Sequence, residues 1–213
     1  MEISRILLAK RRSGLTVLIS AALLFSAGAS AQTHLDYYLG LGYGMAEIDT
    51  DVTSVSNGAS LDEDDNAIEL FAGARINQNL AVEVQYIDFG EASLTGDTGG
   101  QFTYQGTTYQ FTEDNAAIDA KGDSFGVSGL LGADITERVH LYGKAGLHRW
   151  DTELTASSAA SFAKAEDDGT DLFYGIGANV GIGDQFFVRL EAEQYELDDW
   201  DVTNVSLSGM LAF

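Results

Sequence analysis

The sequence has no cysteine and no proline, and only 11 of its 213 residues are lysine or arginine. Without cysteine there is neither a disulfide framework nor a thiolate metal site. Without proline, nothing in the chain is barred from donating to a β-ladder. The shortage of basic residues excludes nucleic acid as a partner, because phosphate binding is carried by Lys and Arg. Long apolar runs are also missing. Beyond the N-terminus no segment approaches the roughly 20 consecutive apolar residues that a membrane helix needs. A chain that crosses a membrane by alternating strands has no such run either, so that absence leaves a β-barrel open.

What is present begins with Arg5, Lys10, Arg11 and Arg12, followed by an apolar stretch from Leu15 to Phe25 and the small-residue sequence Ala29-Ser30-Ala31. That is the pattern of a cleaved export signal over residues 1–31, too short and without the flank of an anchor. The expected mature domain is 32–213. It keeps 7 Lys+Arg against 32 Asp+Glu, since residues 1–31 hold four basic residues and Glu2, so its net charge is −25. The acidic residues gather between the apolar segments, at Asp49, Asp51, Asp62 to Asp65, Asp114, Glu166 to Asp168 and Asp198 to Asp201. Such density reads as solvated loops, or as a site where divalent cations bridge to lipopolysaccharide phosphates.

Eight segments alternate with period two, the signature of half-buried strands: residues 35–46, 67–76, 80–89, 124–133, 139–150, 172–181, 186–197 and 205–213. In the last, Val205, Leu207, Leu211 and Phe213 share one parity, and Ser206, Ser208, Met210 and Ala212 the other. A strand of this kind closing on a terminal Phe is typical of bacterial outer-membrane barrels. Lengths near ten residues suit tilted membrane strands. The connections at Asn77-Gln78-Asn79, Thr136-Glu137 and Gly183-Asp184 are tight, whereas 47–66, 90–123 and 151–171 are long. Short turns at one end and long loops at the other match periplasmic turns and extracellular loops. Within the second long loop, alternation around Gln105-Gly106 predicts a projecting hairpin.

The expected fold is therefore all-β, an eight-stranded antiparallel up-and-down transmembrane β-barrel. A soluble eight-stranded barrel also alternates, with its apolar face inward. The loop asymmetry, the glycine- and serine-rich second face and aromatics near strand ends favour the membrane form; the aromatics are Tyr37, Tyr43, Tyr86, Phe89, Trp150, Tyr174, Phe186, Trp200 and Phe213.

On that reading Glu69, Arg75, Glu83, Gln85, Lys144, Arg189, Glu191 and Glu193 share the inward parity. Charges in a narrow lumen must pair. Glu83 and Arg189 are expected to meet as a bidentate pair, with Lys144 joining Glu191 or Glu83. The network is expected to fill the core; the alternative is a gate on a small ion path.

Several short motifs resemble the OmpA transmembrane-domain family: Glu83-Val84-Gln85-Tyr86 with Asp88-Phe89-Gly90, Leu130-Leu131-Gly132-Ala133-Asp134-Ile135, Leu141-Tyr142-Gly143-Lys144-Ala145-Gly146 and Val188-Arg189-Leu190-Glu191. The resemblance covers essentially the mature chain and implies a small OmpA/OmpX-like outer-membrane barrel of the Gram-negative cell envelope. Glu83 and Arg189 fall where OmpA has a paired interior glutamate and arginine. The second OmpA pair falls on Leu130 and Asn179, so the partner-exchanging gate does not carry over. No periplasmic peptidoglycan-binding domain is expected. By resemblance to other outer-membrane barrels, Phe213 is the signal read by the barrel-assembly machinery, with periplasmic chaperones and then outer-membrane lipid and lipopolysaccharide as partners.

Catalysis would need a base, an acid and a nucleophile within reach. His34 and His140 are expected at the periplasmic end. His148 lies near the outer end, with no serine two residues away and Asp151 close by. Glu166-Asp167-Asp168-Gly169-Thr170-Asp171 lacks EF-hand spacing. The expectation is a non-enzymatic protein without cofactor or metal and with a structural, envelope-integrity role; a narrow ion pore and a loop-mediated adhesin are the alternatives.

Overall fold

The computed structural model describes residues 36–197 and 200–213. The signal segment 1–31, His34 and Leu35 lie outside those residues. Twelve strands follow one another: β1 Asp36–Asp49, β2 Val52–Ser56, β3 Ser60–Asp62, β4 Asp64–Arg75, β5 Leu80–Gly96, β6 Gln101–Tyr104, β7 Thr107–Gln110, β8 Ala116–Thr136, β9 Val139–Ser157, β10 Phe162–Gly181, β11 Phe186–Leu197 and β12 Trp200–Ala212. Eight of them, β1, β4, β5, β8, β9, β10, β11 and β12, pair antiparallel in that order and close into a ring when β12 returns to β1. Closure continues to the last residue: Phe213 N donates to Tyr37 O at 2.9 Å and Tyr37 N to Phe213 O at 3.1 Å. The two rings stack, and Phe213 is exposed at the periplasmic end of the seam.

The orientation of the apolar face separates a membrane barrel from a soluble one. Leu39, Leu41, Tyr43 and Met45 on β1 point outward and are 49–63% exposed, while their neighbours Gly40, Gly42 and Gly44 face in. The same holds for Ile68 and Leu70, Val82 and Val84, Phe125 and Val127, Leu172 and Ile176, and Leu207 and Leu211. A continuous apolar belt turned toward solvent is stable only in lipid. On β1 it runs from Tyr37 to Met45, about 26 Å of strand, or roughly 20 Å of height at the usual tilt. Above it the outward positions become polar on every stave, at Glu47, Asn66, Asp88, Asp123, Arg149, Thr170, Gln194 and Thr203.

The strands run well past that rim. The pairing of β9 with β10 continues from Val139↔Val180 to Ser157↔Phe162, so residues 151–171, expected as a loop, are mostly ladder with a tight turn at Ser158–Ser161. The same correction applies to the outer halves of β5 and β8. Beyond the lipid the outward face turns polar while Ala92, Leu94, Ala116, Ala120, Leu154 and Ala156 still face inward, so backbone pairing continues without the lipid-facing repeat to mark it. Where β5 crosses the rim the register slips between Asp88 and Glu91. Gly90 sits in the slip at φ +78°, and a Cβ there would meet the Asp65 carboxylate at 2.5 Å. That carboxylate accepts from Glu91 N at 2.8 Å, so glycine is required by both backbone and neighbour.

The projecting hairpin forms as expected, with Gln105 and Gly106 at positive φ between β6 and β7. It adds β2 to make a second sheet, β2-β6-β7, outside the barrel. A small core of Leu94, Phe102, Phe111 and Ala116 fixes this sheet to the outer ends of β5 and β8. The aromatic belt is narrower than the sequence predicts. Tyr37, Tyr43, Tyr86, Tyr174, Phe186 and Phe213 face outward, but Phe89 and Trp150 are buried inside and Trp200 packs against the same interior cluster. Both rings occupy inward parity, and proximity to a strand end does not by itself set the face.

Candidate functional site

Glycine and serine on the inner faces of β1 and β12 leave room in the lumen, and large side chains from around the ring fill it in three layers. Toward the periplasm lie Tyr38, Phe71, Leu130, Tyr142 and Met210. Toward the outside lie Ile48, Ile87, Phe89, Trp150, Phe173 and Tyr195. Between them is a buried charged layer containing Glu69, Glu83, Glu191 and Glu193 with Lys144 and Arg189, each at most 3% exposed.

Lys144 on β9 is the hub. Its Nζ lies 3.1 Å from Glu83 Oε1, 2.9 Å from Glu191 Oε1 and 2.8 Å from Glu193 Oε1, and it donates to Gln85 Oε1 at 2.7 Å. Gln85 passes its amide protons to Glu193 Oε1 at 3.1 Å and to the Tyr195 hydroxyl at 2.5 Å. Arg189 on β11 uses Nη1 for Glu83 Oε2 at 2.8 Å and Nε for Asn179 Oδ1 at 3.0 Å. Its Nη1 is also 3.6 Å from Glu191 Oε2. Its guanidinium lies 4.1 Å over the Phe71 ring, with Tyr142 at 5.2 Å and Tyr38 at 5.5 Å. Lys144 sits 5.9 Å over Phe173 of the outer layer. Each cation thus has carboxylates at its own level and an aromatic face from one apolar layer, which lowers the cost of burying it.

Three placements differ from those expected. Arg189 meets Glu83 through one nitrogen, because Nε is turned to Asn179. Lys144 joins Glu191, Glu83 and also Glu193, where one of the first two was expected. Arg75 is in no ion pair of this layer. It ends β4, half-buried in the wall of a periplasmic cavity of about 20 Å³ that also touches Tyr38, His140, Tyr142 and Arg189. Its inward parity is right, but parity carries no information about height.

The layer holds four carboxylates against two cations. Glu69 is the least supported, with Ser206 Oγ at 3.3 Å as donor to one oxygen and no hydrogen-bond partner for the other. Glu69, Glu191 and Glu193 each offer an oxygen within 4.8 Å of the others. The Lys144 ammonium already stands among them, so its charge opposes a metal ion there.

His140, at the periplasmic end, pairs with Asp134 at 2.8 Å. His148, expected near the outer end, is 1% exposed inside the barrel, edge-on to Phe173 and Tyr195. Its Nδ1 is 2.7 Å from Ser124 Oγ and its Nε2 is 2.9 Å from the Glu196 carbonyl. A carbonyl can only accept, so Nε2 carries the proton, and in the neutral ring Nδ1 then accepts from the serine hydroxyl. The sequence signal missed was Ser124, which lies across the strand pair in place of two residues along it. Ser124 is also 1% exposed, so substrate has no access to the pair.

At the rim, cross-strand register sets Asp88 beside Asp123, Asp123 beside Asp151, and Asp151 beside Asp168. Partial burial pushes the Asp123 carboxyl up, with Asp151 and then Asp88 adding to the shift. Asp168 of this row is ion-paired, with Arg149 Nη2 at 2.9 Å.

With barrel, belt and filled lumen in place, comparison with known proteins is decisive for the family. The profile of the outer membrane protein beta-barrel domain matches residues 17–213. The chain belongs to that family. Its place is the bacterial outer membrane. No curated protein sequence matches the chain. Among solved structures, this family barrel is similar to Ail, the attachment invasion locus protein of Yersinia pestis. That similarity has a TM-score of 0.55 and 20% identity, over 84% of this chain and 99% of Ail. It is also similar to the neisserial surface protein NspA, at 0.53 and 16%, over 83% of this chain and 97% of that one. For OprG of Pseudomonas aeruginosa the values are 0.51 and 10%, over 84% and 93%. At these identities the likeness concerns the fold.

Proposed function

We propose that this protein is a non-conducting, non-enzymatic barrel with a structural role in the outer membrane. The supporting observation is the layering of the lumen: a charged layer flanked by apolar side chains on both sides leaves an ion to cross two apolar constrictions. Purified folded protein in a planar bilayer is expected to give no unitary current steps. Stable steps that vanish on substituting Lys144 or Glu83 would establish the pore reading instead.

In this proposal residues 1–31 are removed on export, and Phe213, exposed on the closing seam, is the signal for the assembly machinery and its chaperones. Lipopolysaccharide is the proposed partner of the outer rim. The aspartate row stands just above the apolar belt, where lipid phosphates sit, and divalent cations would join the two. Because like charges directly opposite one another repel, chelating divalent cations is expected to lower the unfolding midpoint in lipopolysaccharide-containing bilayers. Asp123→Asn should shrink that response. An equal response to chelator in wild type and variant would rule the rim out as the contact.

Ail has been solved in complex with a heparin analogue, sucrose octasulfate. Residues 47–66, 90–123, 151–171 and 196–203 of the present chain hold 23 acidic residues against Lys121 and Lys164, a net −21. A polysulfate is repelled by such a surface.

A further inference from the structure

The outer sheet β2-β6-β7 ends on β7, and among the described residues β7 pairs with β6 alone. Gln105-Gly106 forms a two-residue turn, so Tyr104 and Thr107 are a hydrogen-bonded pair and the pairs alternate from there. Phe102 and Tyr109 are again bonded across, and Phe111 N continues on that side, donating to Gly100 O at 2.8 Å. The backbone N–H and C=O of Thr108 and Gln110 therefore point away from β6, along the open edge. Both residues are exposed. The sheet is held rigid from behind by the Phe102–Phe111 cluster and through Glu113, whose carboxylate accepts from the Ser158 hydroxyl on the β9–β10 turn. An open edge on a rigid sheet is a template for strand addition.

The charge around it selects the occupant. A second copy of this chain would bring another net −21 against the first, and like-charged surfaces do not pair. We infer that the β7 edge binds an extended, basic peptide segment of another protein, which adds as a fourth strand through Thr108 and Gln110 while its Lys or Arg side chains face the acidic outer surface. This goes beyond the structural role and does not depend on whether the lumen conducts.

The test uses the full barrel in nanodiscs and a labelled peptide of alternating Lys and Val. Saturable binding is expected, weakened about tenfold or more by Thr108→Pro, which removes one edge N–H and leaves the β6 ladder intact. Gln110→Pro should act likewise, with heat-modifiable mobility confirming that both variants are folded. N-methylating alternate peptide amides should weaken binding to a similar degree at unchanged charge. Absence of binding overturns the inference. So does binding that the proline variants and the N-methylated peptide leave unchanged, which would be charge attraction without strand addition.

Discussion

Replacing Lys144 with methionine is expected to destabilise the barrel by about 3–5 kcal/mol, the range for stripping one partner from a buried ion pair. Methionine keeps most of the volume, so the loss reports on charge. Three carboxylates, those of Glu83, Glu191 and Glu193, lose the ammonium within 3.1 Å of each, and Gln85 Oε1 loses its donor. The layer would then hold four acids against Arg189 alone. Urea unfolding of the refolded protein in lipid measures the effect. A change under about 0.5 kcal/mol, the level of an ordinary surface substitution, would mean that the layer is solvated. The opposite sign is expected at Glu69, whose second oxygen has no donor. Glu69→Gln removes one excess negative charge and should leave stability equal or higher.

Arg189→Leu is the second large effect, again about 3–5 kcal/mol. Here the guanidinium links levels: Glu83 beside it, Asn179 through Nε and the Phe71 face at 4.1 Å. Leucine leaves Asn179 Oδ1 without its donor, at about 1–3 kcal/mol, and removes a cation–π contact worth about 0.5–2 kcal/mol. Arg189→Lys separates these contributions. It restores charge opposite Glu83 but a single ammonium has no planar fork for Asn179 and Phe71, so recovery should be partial. Full recovery by lysine would show that charge alone matters, and no recovery that shape alone does.

The sequence was informative wherever lipid imposes a rule. Leu39, Leu41, Tyr43 and Met45 alternate with glycine because one face meets hydrocarbon and the other a crowded lumen. That pattern gave eight staves and their facing. It stopped at the rim, where β8, β9 and β10 continue with polar residues outward and Ala116, Ile118, Ala120, Leu154 and Ala156 inward, so the lipid-facing repeat is gone. Parity also named the inward charges, but a strand's period of two says nothing of relative height or of the angle around the barrel. Arg75 shares Glu69's parity and sits at the periplasmic mouth, while Lys144 reaches three glutamates on two other strands. Such contacts depend on ladder register across strands, which is fixed by turns and by the Gly90 slip. The Ser124–His148 pair was hidden for the same reason.

The β1–β12 seam has a kinetic consequence. Its register runs from Tyr38↔Ala212 to Asp49↔Asp201, joining the first and last staves of the ring. A chain that lacks β12 cannot make those bonds, so the ring cannot shut before β12 has emerged. Contacts of such sequence separation carry the largest entropy of closure and slow the final step. Until then both terminal strands present open edges, in a molecule whose apolar belt already faces outward. Aggregation is therefore most threatening in the interval between emergence of the strands and the meeting of β1 with β12.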